Sequence, residues 1–338
     1  MGAGATTGGL AETTLPPPVD KDFFDTAALI KERGTPVVAK RVMTDVFEMF
    51  GKVHGVGPEE YYREIETRAA IGDIAPTQNK QRDWGRRKRD LDELIRRVYI
   101  HTTFDLKHGR ALKSEAHENL FRLLKRDTTI ITFNYDLVIE ENMQDPGTWN
   151  PKNGFLVSVS GATGEWPRKW FRDRSANQSQ KVRVDLLKMH GSLGWRLYEG
   201  NRKIRIKDRP YVVRAGQQET VAILGPGWKK PIDKNPFKRF WREARLRIER
   251  AKTIMIIGYS LPETDLLARA LFAEAIRLKK ARNHMLRKLF IVDPSKTVKE
   301  KFTSLFAPCL GPNGNVDLIE NVEELNKRIQ ATLSQKEK

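Results

Sequence analysis

Short apolar runs interrupt the polar background of this chain and predict its strands. Thr129-Ile130-Ile131-Thr132-Phe133 ends in Asn134-Tyr135-Asp136, and Thr253-Ile254-Met255-Ile256-Ile257 ends in Gly258-Tyr259-Ser260-Leu261-Pro262. An unbroken apolar run of this length, followed at once by turn residues and a helical pattern, reads as a parallel strand buried on both faces. Residues 288–292 repeat the pattern. Val182, Val184 and Leu186 instead alternate with charged residues and lead into Leu187-Lys188-Met189-His190-Gly191-Ser192-Leu193-Gly194-Trp195. That strand is expected to break at Gly191, directly after the histidine.

Helical spacing fills the intervals. A helix is expected over 136–143, and another over 236–251, where Phe237, Phe240, Trp241, Ala244, Ile248 and Ala251 form one stripe. A third covers 262–280, with Pro262 in its first turn, where a missing N–H costs nothing. The last, 322–334, pairs an Asn321/Glu324 cap with a Val322, Leu325, Ile329, Leu333 stripe. Residues 20–126 read as almost wholly helical. Phe23, Ala27, Ile30, then Val37, Val42, Val46, Phe47 and Phe50 recur at helical spacing, followed by helices over 84–104 and 112–124. No strand is predicted in this block. Residues 145–180 read as a long loop with a hairpin near 155–159, and 203–206, 211–213 and 221–224 as short strands, the last followed by a Gly225-Pro226-Gly227-Trp228 loop.

The order of elements defines an α/β fold with a parallel sheet flanked by helices and interrupted by a helical insertion. The expected division is 1–19 plus 127–335 for the α/β domain and 20–126 for the insertion. In open sheets of this kind the ligand crevice lies at the carboxyl ends of the strands, so Asn134, Asp136, His190, Gly258 and Ser260 are expected on one rim. A helix cap is the bland alternative for Asn134 and Asp136.

Composition narrows the chemistry. The 338 residues hold one cysteine, Cys309, so neither an internal disulfide nor a cysteine zinc site can form. This fits a reducing, cytoplasmic setting. No apolar run is long enough to span a membrane. Net charge is +18, which favours anionic partners. Stretches 80–126, 229–252 and 277–301 each carry seven more basic than acidic residues. That even spread predicts weak, salt-sensitive nucleic-acid binding by the isolated chain rather than one dedicated stripe. Gly2-Ala3-Gly4-Ala5-Thr6-Thr7-Gly8-Gly9 clusters glycines that let backbone N–H groups approach a phosphate; a plain tail is the alternative, and a myristoylation site a remote one. A phosphate loop ordinarily follows a strand. Here only Met1 precedes it, so that strand either lies outside these residues or is replaced by another segment.

Taken in order, Gly2-Ala3-Gly4-Ala5-Thr6, Asn134-Tyr135-Asp136, His190-Gly191, Gly258-Tyr259-Ser260 and Val292-Asp293 resemble the motifs of the sirtuin-like family. The phrases around Asn134, His190 and Gly258 look most like its divergent branch in prokaryotic antiphage defence. The resemblance implies a Rossmann-like domain that binds NAD as substrate and cleaves it to nicotinamide and ADP-ribose. Asn134, His190 and Asp136 would be catalytic, and Gly2, Ala3, Gly4, Thr6, Gly258, Ser260 and Asp293 would contact the cofactor. The chain departs from the family's deacylases in lacking a four-cysteine zinc module, and Thr6 stands where serine is usual. No zinc is therefore expected. Transfer to an acyl-lysine or protein acceptor, and a silent NAD- or nucleic-acid-binding module, are the competing readings. An NAD hydrolase endangers its own cell, so control by self-assembly into a homo-oligomer or by a separate regulatory protein is expected.

Overall fold

In a computed structural model of the chain, the described residues are 6, 10, 15–32, 34–71, 84–105, 107, 110–124, 127–144, 149, 154–155, 184–198, 203–206, 220–225, 232 and 236–334. Gly2, Ala3, Gly4, the strand expected at 211–213, residues 156–159 of the expected hairpin and most of the loop after Gly225 lie outside them.

The first part is built of helices α1 (Phe23–Leu29), α2 (Thr35–Phe50), α3 (Pro58–Ala70) and α4 (Trp84–Thr103). Phe23, Phe24, Val42, Val46, Tyr61, Leu91, Leu94 and Val98 close a core of their own. One expectation fails here. Val37 and Phe47 point to solvent, and Val38 and Ala39 take the buried side of α2 beside Val42 and Val46. The buried face runs at i, i+4 and i+8 through Val38, Val42 and Val46, between Pro36 in the first turn and Gly51 at the end of the helix. A second correction is a pair of two-residue antiparallel strands, β1 (Phe104–Asp105) and β2 (Arg110–Ala111), inside the stretch expected to be wholly helical. Helix α5 (Glu115–Arg122) follows, capped by Ser114.

The remainder is mixed α/β, with parallel sheets flanked by helices. Strand β3 (Thr129–Thr132) is followed by α6 (Val138–Gln144) and pairs in parallel with β4 (Asp185–Lys188). A two-residue turn leads into β5 (Gly191–Tyr198), which pairs antiparallel with β6 (Lys203–Ile206) and β7 (Thr220–Ile223). Gly191 sits at φ +82°, and a Cβ there would lie 1.8 Å from the Ala222 carbonyl oxygen. Only glycine suits both the turn and the close approach of β7. Helix α7 (Phe237–Arg250) leads to β8 (Thr253–Ile257), α8 (Leu266–Ala281), β9 (Leu286–Val292), α9 (Lys296–Phe306), β10 (Leu310–Ile319) and α10 (Val322–Ser334). Strands β8, β9 and β10 form a parallel sheet with β9 in the middle.

The apolar stripe of α7 is core: Phe240 stacks on Trp195 at 5.3 Å, and Ala244 and Ile248 are buried. Its last turn is held by Lys279, a fully buried member of a basic stretch, which donates to the carbonyls of Ile248, Glu249 and Ala251. Helix α8 starts later than expected, at Leu266 with Asp265 as its cap, so Pro262 lies in the turn before it rather than in its first turn. Strand β10 escaped the sequence pattern because Gly311-Pro312-Asn313-Gly314 reads as a turn. The register does break there, between Leu310 and Asn315. The cap of α10 is as expected, with Asn321 accepting from the Glu324 N–H at 2.9 Å.

Candidate active site

The turn after β3 gathers buried polar groups. Asn134 Nδ2 donates to Thr6 Oγ1 at 2.8 Å, and Thr6 Oγ1 donates to Asp136 Oδ2 at 3.2 Å. The other carboxylate oxygen of Asp136 accepts from the Val138 N–H at 3.0 Å. Asp136 is thus a helix cap and a side-chain anchor at once. The turn is fixed from beneath by Lys188, whose ammonium donates to the Asp136 carbonyl and to both oxygens of Glu140, at 2.8 and 3.0 Å. Burial pushes the Glu140 carboxyl up, against the pull of that ammonium. Lys188 and Glu140 are almost wholly enclosed, so each is the charge that compensates the other for lost solvent.

His190 occupies the turn between β4 and β5, as its position before Gly191 implied. Its carbonyl accepts from the Leu224 N–H at 2.8 Å, which fixes the backbone. The imidazole is 3% exposed and lies among the rings of Phe133 (5.3 Å), Tyr135 (6.0 Å) and Trp241 (6.4 Å). Phe133 and Tyr135 flank Asn134 in sequence, so the same turn presents both Asn134 and the walls of the histidine pocket. His190 Nε2 is 3.7 Å from Asp265 Oδ2, and that oxygen accepts from Tyr259 Oη at 2.9 Å. Burial first, and Asp265 second, hold the Tyr259 hydroxyl well above its ordinary pKa, so it stays a donor. Tyr259 also stacks on Phe133, with centroids 4.5 Å apart and planes 9° apart.

Sequence reasoning missed Asp265 and Lys188. An aspartate directly before the apolar helix Leu266-Leu267-Ala268 carries the signature of a cap, and Asp265 does accept from the Ala268 N–H. Its reach to His190 had no sequence signal. Lys188 looked like one of the solvent-facing charges of an alternating strand.

The remaining expected residues fall differently. Gly258 takes φ +55° at the end of β8, and its N–H donates to the Val292 carbonyl at 3.0 Å. Ser260 is exposed, and its carbonyl accepts from Lys301 Nζ at 3.0 Å. Asp293, at the end of β9, accepts from the Ser295 N–H at 2.9 Å, and burial raises its carboxyl. The structure therefore joins Thr6, Asn134 and Asp136 by hydrogen bonds and packs His190 against Phe133 and Tyr135, the residues that flank Asn134 in sequence. Ser260 and Asp293 bond elsewhere. Helix α3 reaches the same region: Thr264 donates to the Glu59 carboxylate, and Tyr135 Oη donates to the Leu224 carbonyl at 3.3 Å. Among the described residues no group of three or more His, Cys, Asp or Glu side chains is placed to hold a metal ion, and no helix is long and apolar enough to cross a membrane.

A buried polar turn after one parallel strand and a histidine after its neighbour define an α/β protein with a strand-end site. The chain belongs to the SIR2-like domain family, whose model matches residues 128–307. The match takes in Asn134, Asp136, His190, Gly258, Ser260 and Asp293, and leaves the amino-terminal glycines outside. Two solved structures are similar, both mutants of a Sir2 homologue in complex with ADP-ribose. One is 16% identical, over 73% of this chain and 77% of that one, with a TM-score of 0.39. The other is 17% identical, over 79% and 89%, with the same TM-score of 0.39. No curated protein sequence matches this chain.

Proposed function

We propose that this protein hydrolyses NAD to nicotinamide and ADP-ribose, with residues 1–19 and 127–335 as the NAD-binding domain and 20–126 as a helical insertion. Membership of the SIR2-like family supports an NAD-related activity. The observation that carries the reading is the hydrogen-bonded Thr6, Asn134, Asp136 cluster on the turn whose Phe133 and Tyr135 rings pack on His190. Breaking the nicotinamide–ribose bond leaves an oxocarbenium-like ribose and neutral nicotinamide, so no strong acid is needed. The site must hold the ribose, stabilise the positive centre and place water on its open face.

Asn134 orients the water or the ribose through its amide. The Asp136 carboxylate keeps the turn in place and adds negative charge near the developing cation. His190 accepts the proton released as water bonds to the ribose carbon, and the Asp265 carboxylate 3.7 Å away stabilises the imidazolium that results. Thr6 and the Gly258 turn contact the phosphates and riboses, Gly258 through its backbone, while Ser260 and Asp293 take outer positions.

Unrestrained NAD hydrolysis would drain the protein's own cell, which supports a gated enzyme, one that is switched on by self-assembly or by binding a regulatory protein, as an effector in antiphage defence would be. Purified protein at rising concentration should pass from low to high NAD turnover as it assembles. Full turnover in a dilute, demonstrably monomeric sample rejects the gating.

A further inference from the structure

Helix α7 leads into β8 and α8 into β9, and the two strands run parallel with Thr253 opposite Lys288. The carboxyl ends of both helices and the amino ends of both strands therefore come together. Arg250, Lys252, Lys280, Arg282 and Arg287 lie at that end, and all are exposed. Short contacts tie together the segments that carry them. The Lys252 carbonyl accepts from the Arg287 and Lys288 N–H groups at 2.8 and 3.2 Å, and the Lys279 carbonyl from the His284 N–H at 2.9 Å. Glu249, fully buried, accepts from Arg245 at 3.1 Å and from Arg282 at 2.6 Å, with His284 Nδ1 3.7 Å away. Along the sequence these cations belong to two separate stretches; in the fold they gather.

Helix ends attract cations on their own account, because their last carbonyls carry partial negative charge. Here that need is met from inside. Lys279 donates to the carbonyls of Ile248, Glu249 and Ala251 at the end of α7. Arg250, Lys252, Lys280 and Arg287 have no ion-pair partner among the described residues. Against them stand Asp127, which is exposed, and Asp185 and Asp317, which pair with Arg247 and Lys288 at 3.0 and 3.1 Å. The excess is positive. The kind of surface selects among anionic partners. A protein interface draws its affinity from apolar and aromatic anchors, and single strands are bound on aromatic platforms. The large exposed apolar side chains among the described residues lie on the helical part, at the start of α8 and near the end of β10, and none is at this end. Phosphates need only cations, and the guanidinium fork suits them best.

We propose that this end of the sheet binds the phosphate backbone of duplex nucleic acid without reading its sequence. The Lys252 and Arg287 side chains, with Arg250, Lys280 and Arg282 around them, contact successive phosphates. The surface lies at the opposite end of β8 from the Gly258 turn, a strand length of about 16 Å away at about 3.3 Å per residue, so a duplex on it leaves the strand-end rim free. The proposal does not use the NAD chemistry and is read by direct binding, so the two can fail separately.

Fluorescence anisotropy of a labelled random-sequence duplex of about 20 base pairs tests it, with DNA and RNA versions to distinguish the source of the phosphates. Affinity of the whole chain for the duplex should fall roughly 10²- to 10³-fold between about 50 and 200 mM salt, the dependence of about four to six phosphate contacts. Lys252→Ala with Arg287→Ala should weaken binding at the lower salt about tenfold or more and reduce the salt slope by about two, with circular dichroism unchanged. Lys238→Ala with Arg239→Ala removes the same charge from exposed side chains in the first turn of α7, about 17 Å along the helix from Arg250. That pair should change affinity by less than about threefold. Equal losses from the two pairs mean that net charge alone drives binding and overturn the surface, as does the absence of duplex binding at the lower salt. A single strand of the same length bound as tightly overturns the duplex assignment. Tighter binding of poly-glutamate makes an acidic protein the partner and overturns the nucleic-acid one.

Discussion

The turn after β3 and the turn after β8 leave their strands side by side, bridged by the stacked rings of Phe133 and Tyr259, yet they are built in opposite ways. The β3 turn points its polar side chains inward, where Thr6, Lys188 and the α6 backbone hold them. The β8 turn offers backbone instead. Gly258 and Leu261 both take positive φ, Ser260 faces solvent, and Lys301 clamps the carbonyls of Ser260 and Leu261. A turn made of buried side chains fixes chemical groups to within a fraction of an ångström. A turn made of backbone fixes a surface for a ligand to lie on. The β3 turn is suited to the reacting centre and the β8 turn to the rest of a dinucleotide.

The largest effect should come from undercutting the β3 turn. Lys188→Met leaves the Glu140 carboxylate buried without its cation, which costs about 3–5 kcal/mol of folding stability. Denaturant unfolding should show that loss, and the double variant Lys188→Met with Glu140→Leu should regain most of it. If the single variant is as stable as the parent, the β3 turn is not held in the way described.

His190→Ala should lower NAD turnover about a hundredfold or more while circular dichroism shows the protein still folded, with Tm lowered by the cavity that a buried ring leaves. A smaller drop would place the imidazole outside the reaction. The same assay on Ser260→Ala should change turnover by less than about threefold. A larger loss from that exposed hydroxyl would erase the contrast between the two turns.

The helical region provides a control that changes no residue of either turn. Asp92 on α4 is held up to about 6, by burial first and by Glu66 in addition, against the pull of Lys88. Its folded pKa lies above the unfolded one, so the native state binds the extra proton between about pH 4 and 6. The stability it contributes is complete below about pH 4 and is lost as pH rises through 6. Asp92→Asn should therefore stabilise the protein by about 1–2 kcal/mol at pH 7 and by nothing near pH 4. Equal stability of the two forms at pH 7 would mean that the carboxyl is solvated.

Much of this was legible before any coordinates. Strands β3 and β8 announced themselves as unbroken apolar runs, and Gly191 marked the turn that presents His190. The interior charges did not. Lys188 and Lys279 have the spacing of surface lysines, and their burial depends on acceptors that the fold brings from far along the chain, Glu140 and Asp136 for one and the end of α7 for the other. The same effect weakens the reading of the basic stretches as surface, since Arg87 and Lys279, each in one of them, are interior. Asp265 carries a cap signature that the expected helix start at 262 passed over, and its place beside His190 had no signal because a partner on another strand's turn leaves no periodic trace.

The central claim is that the β3 turn holds the reacting centre for NAD cleavage. Purified protein, across a range of concentrations, is incubated with NAD and no acceptor, beside Asn134→Ala, and the products are separated by chromatography. The account predicts nicotinamide and ADP-ribose in equal amounts from the parent and at least about a hundredfold less from Asn134→Ala. Intact NAD with the parent, product only when an acylated peptide is added, or equal turnover by Asn134→Ala would contradict it.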